Sequence, residues 1–230
     1  MKKPTLALVL ATLLFPAANL AAQAVPVAHT SITVSASADA RASLQAALAD
    51  IENLAGTFVQ TLYDHGELLQ ESHGAFILQR PAQLRWETDE PEPSTLVADG
   101  ETLWYYNPFI EQVTLYNQAD AMQANPILLL LDSSANWQEF AIEQVPPAAY
   151  ADAQGNVPDL DFWRIQEKQA DAPELVVGIR HGEIRELRLA DQYGQLNVFA
   201  LTINSANQSL NPAHFSFAIP AGTDIDDQRE

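Results

Sequence analysis

Arg80 is the residue whose surroundings first ask for a chemical explanation. The segment from Gly74 to Arg80 reads as a strand, and alternation puts Phe76, Leu78 and Arg80 on one face. A guanidinium carries five donors and keeps its charge, so burial beside two large apolar side chains requires acceptors on several sides. Main-chain carbonyls at a helix C-terminus are such acceptors, because the last turn leaves them without intrahelical partners. The other orientation is a rim arginine bending into solvent ahead of Pro81, and alternation leaves both open. Either way this is binding chemistry. The groups that would break bonds do not assemble. His29, His65, His73, His181 and His214 fall mostly at turns or in the leader, and none has metal-ligand spacing of the H-E-x-x-H kind. There is no G-x-S-x-G elbow and no phosphate-binding glycine loop. The pairs Glu90/Glu92, Asp159/Asp161 and Asp226/Asp227 fit a solvated acidic face. The chain is therefore read as no enzyme, with no cofactor and no metal site.

The elements that position Arg80 are mostly strands. Residues 40–55 read as an amphipathic helix, with Leu44, Leu48, Ile51 and Leu54 recurring at steps of three and four and Asp39 as its N-cap. Turns at Asp64-His65-Gly66, Arg80-Pro81, Asp89–Pro93, Asp99-Gly100, Asn107-Pro108, His181-Gly182 and Asp191–Gly194 separate the apolar runs that follow. These runs are 58–63, 68–79, 84–88, 95–98, 102–106 and 110–116, then 137–145, 160–168, 174–180, 183–190 and 195–204, about eleven strands in all. Regular spacing of this kind predicts an antiparallel meander curling into a barrel or sandwich. Residues 118–131 interrupt it with two short helices, the second starting at Pro126. Its run Ile127–Leu131 is apolar on every side, so it must be buried all round or face something greasy that is not protein. Phe76, Trp86, Trp104, Tyr105, Tyr106 and Phe109 crowd the first hairpins, where core packing and cavity lining would both use them. The tail from Phe215 reads as a strand with a polar end.

The N-terminus adds an address. Lys2 and Lys3 precede an apolar stretch from Leu6 to Phe15, and Ala22-Gln23-Ala24 is a small-x-small cleavage pattern, so residues 1–24 read as a signal peptide. Residues 25–38 read as a flexible leader, and 39–230 as one domain. With no cysteine there is no lipobox and no disulfide. Loss of Lys2 and Lys3 with the signal takes the formal charge from −19 to −21 and leaves nine of the eleven basic residues. That balance excludes nucleic acid and repels anionic headgroups, so no stable membrane insertion is expected. It favours protein partners with basic patches.

With these elements in place, a series of motifs resembles the outer-membrane lipoprotein carrier protein (LolA) family. The matching pieces are Gly74-Ala75-Phe76 leading to Arg80-Pro81, then Trp86, then Asp99-Gly100-Glu101-Thr102-Leu103-Trp104-Tyr105-Tyr106-Asn107-Pro108-Phe109-Ile110-Glu111-Gln112-Val113. Asn125-Pro126, Trp137-Gln138, Phe215-Ser216-Phe217 and the ending Asp226-Asp227-Gln228-Arg229-Glu230 follow in order. The resemblance implies a mainly β fold, an incomplete, half-open antiparallel β-barrel of about eleven strands with a short α-helical lid. It implies a periplasmic chaperone that takes acylated lipoproteins from an inner-membrane lipoprotein-releasing ABC transporter and delivers them to an outer-membrane receptor. It also implies that an arginine before proline latches the lid. That arginine falls on Arg80, and the lid positions fall near Leu48 and near Leu130 and Leu131. Read by alternation, the acyl-chain cavity comprises Phe76, Leu84, Trp86, Leu96, Trp104, Met122, Leu128 and Leu130. The rival reading is a lipid- or lipoprotein-sensing periplasmic regulator on the same fold.

Overall fold

The computed structural model describes residues 38–89, 91–124, 137–167 and 173–229. The expected signal peptide, most of the leader and the aliphatic run at 127–131 lie outside these residues. Helix α1 (Ala38–Leu48) leads into strands β1 (Asn53–Asp64), β2 (Glu67–Gln79), β3 (Gln83–Thr88), β4 (Ser94–Ala98), β5 (Thr102–Asn107) and β6 (Gln112–Asn117). A short helix α2 (Gln118–Ala124) follows, then β7 (Phe140–Val145), β8 (Asp161–Glu167), β9 (Glu174–Arg180), β10 (Glu183–Ala190), β11 (Gln195–Ala206) and β12 (Asp224–Asp227). All twelve strands form one sheet in the order β12-β6-β5-β4-β3-β2-β1-β11-β10-β9-β8-β7.

At about 4.8 Å per strand such a sheet would be roughly 50 Å wide if flat. Yet Leu103 of β5 and Ile142 of β7 share a single core with Phe58, Phe76, Phe199 and Leu44. The sheet therefore curls until its inner face meets itself. Register shifts at Ala55/Gly56, Leu62/Tyr63 and Ile184/Glu186 add local bends. It does not close, because β12 and β7 remain edges. Helix α1 fills the gap, with Leu44 fully buried and Leu48 nearly so.

Several boundaries differ from the sequence reading, among them residues 137–139, a 3₁₀ turn where a strand from 137 was expected. Helix α1 stops at Leu48, well short of residue 55, and Asp39 sits within its first turn. From Leu54 the apolar spacing is that of a strand, with Leu54 and Phe58 sharing the inner face. The Asn207 side chain accepts from the N–H groups of Glu52 and Asn53, which draws this segment into the sheet. Residues 110 and 111 belong to the β5–β6 turn, where Asn107 Oδ1 accepts from Phe109 N–H and Phe109 and Ile110 project into solvent. Residues 212–215 form a single 3₁₀ turn, and the strand expected from Phe215 appears only at Asp224–Asp227.

That turn belongs to a strap. After β11 the chain crosses the outer face of the sheet. Arg85 donates to the His214 carbonyl, and Phe217 packs against Trp104 and Tyr106. The strap ends in β12, which pairs in parallel with β6. It explains why Val97 and Val113, which point outward, are as buried as the inner core.

Gly74 marks the tightest packing. A Cβ there would lie 1.9 Å from the Glu87 carbonyl oxygen and 2.7 Å from the Phe58 ring. The missing side chain lets Phe58 lie across β2 and stack on Trp86 at 4.2 Å. Gly74→Ala should cost about 1–3 kcal/mol by overpacking, read as a lowered urea midpoint with an unchanged slope. An unaltered midpoint would mean that the ring and backbone relax freely.

Candidate functional site

Residues directly opposite in the ladder share a face, so the register defines the inner surface row by row. Leu54, Leu78, Leu84, Ala98 and Leu103 form the first row. Phe76, Trp86, Leu96 and Tyr105 form the second. Phe58, Gly74, Thr88 and Ser94 form the third. Beyond these the surface turns polar, with Gln60 opposite Ser72 and Leu62 opposite Gln70. The apolar end lies under α1, and the polar end lines a groove open to solvent.

The inner face thus collects Phe76, Leu84, Trp86 and Leu96 from the sequence-derived cavity set. Trp104 is a correction. It is opposite Val97 and Leu115, on the outer face against the strap. Its position is fixed by Asp99, whose Oδ1 accepts from the N–H groups of Glu101 and Thr102 while Oδ2 accepts from the Trp104 indole at 2.8 Å. Burial pushes the Asp99 carboxyl up, but these donors outweigh it and hold it below the usual carboxylate range. The Asp-Gly-x-x-Leu-Trp pattern is therefore turn architecture. Met122 lies in α2, whereas Leu128, Leu130 and Leu131 fall outside the described residues.

Arg80 lies at the apolar end. Its main-chain N–H donates to the Glu52 carbonyl, and Nη1 donates to the Leu48 carbonyl at 2.9 Å. Leu48 is the last residue of α1, where carbonyls lack helical partners and the helix dipole favours a cation. Burial lowers the Arg80 guanidinium from its ordinary value, yet it stays charged across the working range of a protein.

Two further residues hold this region, and no motif announced them. Arg41 reaches from the first half of α1 to the Phe140 carbonyl at 3.2 Å, tying the helix to the edge strand β7. Gln118, almost fully buried at the start of α2, donates to the Ala82 carbonyl and accepts from Gly100 N–H at 2.8 Å. It thereby joins α2 to the turn that carries Arg80. A lone arginine on a helix and a glutamine beside a strand carry no sequence signal of such roles. Six other arginines, 85, 164, 180, 185, 188 and 229, form ion pairs with carboxylates. Among the described residues no group of three or more acidic, histidine or cysteine side chains is placed to hold a metal. No helix among them is long and apolar enough to cross a membrane.

The family described as "Outer membrane lipoprotein carrier protein LolA" matches residues 49–218. An outer-membrane lipoprotein carrier protein of Idiomarina loihiensis is 34% identical over 81% of this chain and 86% of its own length. One from Shewanella loihica is 32% identical over 86% of this chain and 90% of its own. A solved LolA superfamily protein of Nitrosomonas europaea covers 77% of this chain and 97% of its own, at 9% identity and a TM-score of 0.43.

The Arg41 contact predicts a local effect. Arg41→Met should speed amide exchange in the first half of α1 about tenfold or more, since a hydrogen bond to a charged group contributes about 1.5–3 kcal/mol. Exchange measured by mass spectrometry on a peptide spanning residues 38–48 reads it. Unchanged rates would show that apolar packing alone seats the helix.

Proposed function

Since the chain belongs to the outer-membrane lipoprotein carrier protein family, we propose that it works in the periplasm, holding the acyl chains of lipoproteins against the inner face of its open sheet. It takes cargo from an inner-membrane lipoprotein-releasing ABC transporter and passes it to an outer-membrane receptor. The observation that carries this reading is the continuous apolar inner face with a helix, not a second sheet, across it. The curated relatives named above are carriers, so the regulator reading is not favoured.

The energetics fit a carrier that uses no fuel of its own. Helix α1 shields the cavity surface when empty. The Arg80 contact with Leu48 is a latch whose net contribution is about 1.5–3 kcal/mol. Each methylene transferred from water to the cavity contributes about 0.8 kcal/mol. A few buried acyl segments therefore outweigh the latch and displace the helix. Re-forming the latch favours release, so unloading needs only a receptor that grips the chains harder. The family resemblance extends the reading to Leu130 and Leu131 as further lid positions and to Leu128, Leu130 and Met122 as further cavity residues, of which only Met122 lies within the described residues.

The direct test adds the mature protein to spheroplasts synthesising an outer-membrane lipoprotein. A soluble one-to-one complex with the acylated form, and none with an unacylated form, is expected. Failure to release cargo with the cognate transporter present would reject the carrier reading. Arg80→Leu should still load cargo but transfer it to the receptor about tenfold less completely, the loss of one charged hydrogen bond. Normal transfer by that variant would refute the latch.

A further inference from the structure

The polar end of the inner face is a recess that adjoins the apolar rows. It is lined by Gln60, Gln70, Ser72, Thr88 and Ser94 with one apolar side chain, Leu62, among them, and Trp86, Leu96 and Tyr105 lead back to the apolar end. Ser72 is 3% exposed and Trp86 8%, while the remaining lining residues are half-buried, so the recess has a buried floor and opens to solvent. Gln60 Nε2 donates to Asn197 Oδ1 at 2.7 Å and Gln70 Nε2 to Ser72 Oγ at 3.0 Å, which orients both amides while leaving each a donor to spare. Among the described residues no lysine or arginine lines the recess, and Glu92 is the one charged side chain there.

Resting on the carrier reading, we propose that this recess seats the junction where a cargo's acyl chains meet its polypeptide, binding the uncharged ester and amide groups found there. The chemistry selects that ligand. Amides and hydroxyls satisfy ester carbonyls and peptide groups, whereas a phosphate would meet Glu92 with no cation to offset it. The placement selects it too. Acyl chains displacing α1 would occupy the rows around Leu84 and Trp86, and their attachment point would then fall beside Thr88 and Ser94, two residues further along their strands than Trp86 and Leu96, with Gln60 one row beyond. A few fixed polar groups at the end of an apolar pocket orient a ligand. The recess would set how deeply the chains enter and which way the polypeptide leaves.

Titration of the mature protein with three probes tests this: a synthetic dipalmitoylated lipopeptide, monopalmitin and palmitic acid. Thr88→Val, which keeps the side-chain shape, and separately Gln60→Leu should each weaken lipopeptide binding about tenfold and leave palmitic acid within about twofold. Equal losses for lipopeptide and palmitic acid, or no loss in either variant, would overturn the assignment. A loss for monopalmitin as large as for the lipopeptide would overturn the polypeptide part, since the glycerol ester alone would then be recognised. If the unaltered protein bound none of the three probes, the carrier reading itself would fall, and this inference with it.

Discussion

A single sheet with one apolar face and no second sheet to cover it is the constraint on which the rest of this structure depends. Curling lets the face bury much of itself, so that Leu103 and Ile142 enter one core from opposite halves. Stopping short of closure leaves an opening, and α1 lies in it. The helix is tied at both ends, by Arg41 to Phe140 and by Arg80 to Leu48. Both ties are side chain to main-chain carbonyl. They are bonds of moderate strength, and they leave the strand ladders intact when broken. An aromatic floor of Phe58, Trp86 and Phe199 stays beneath, its rings within 4.2–6.1 Å of one another.

The same surface is both core and candidate binding site. Apolar packing against α1 and apolar packing against an acyl chain are the same interaction with different partners. Stability of the empty protein and affinity for a lipid thus draw on one set of residues. The outer face relieves this tension. The strap over Val97, Trp104 and Tyr106, and the packing of Tyr150 on Phe162 beneath Arg188, bury apolar surface on the face away from the opening. Order in the sheet need not wait on what lies in the opening.

Most of the strands were legible because a half-buried sheet writes its period into the sequence. The ranges 174–180 and 183–190 were readable to the residue, since the His181-Gly182 turn separates them and Asp191–Gly194 closes the second. Helix α1 was over-extended because Ile51 and Leu54 continue its spacing by coincidence after the chain has turned into β1. Alternation named Phe76, Leu84, Trp86 and Leu96 together. It misplaced Trp104 because alternation fixes faces only within a strand, and a tryptophan on the outer face looks like one on the inner face until the strap is seen. The strand at 224–227 was illegible for a plainer reason. Its residues are Asp-Ile-Asp-Asp, and main-chain pairing with β6 holds them where side chains would not. Arg80 was noticeable by its company, but its hydrogen-bond acceptor is 32 positions away in sequence.

The parallel pairing of β12 on β6 has one more consequence. A sheet that does not close ends in rows of unpaired N–H and C=O groups, and such rows template the addition of any extended chain. A protein handling unfolded or partly exposed polypeptides would meet such chains constantly. Here the chain's own end occupies the β6 border, hydrogen-bonded from Asp224 to Gln228, and places carboxylates at Asp224, Asp226 and Asp227 along the outermost strand. An incoming strand would face the carboxylates of Asp224 and Asp226, and Asp227 held by Arg229, so growth of the sheet into fibres is disfavoured at the border nearest the aromatic hairpins.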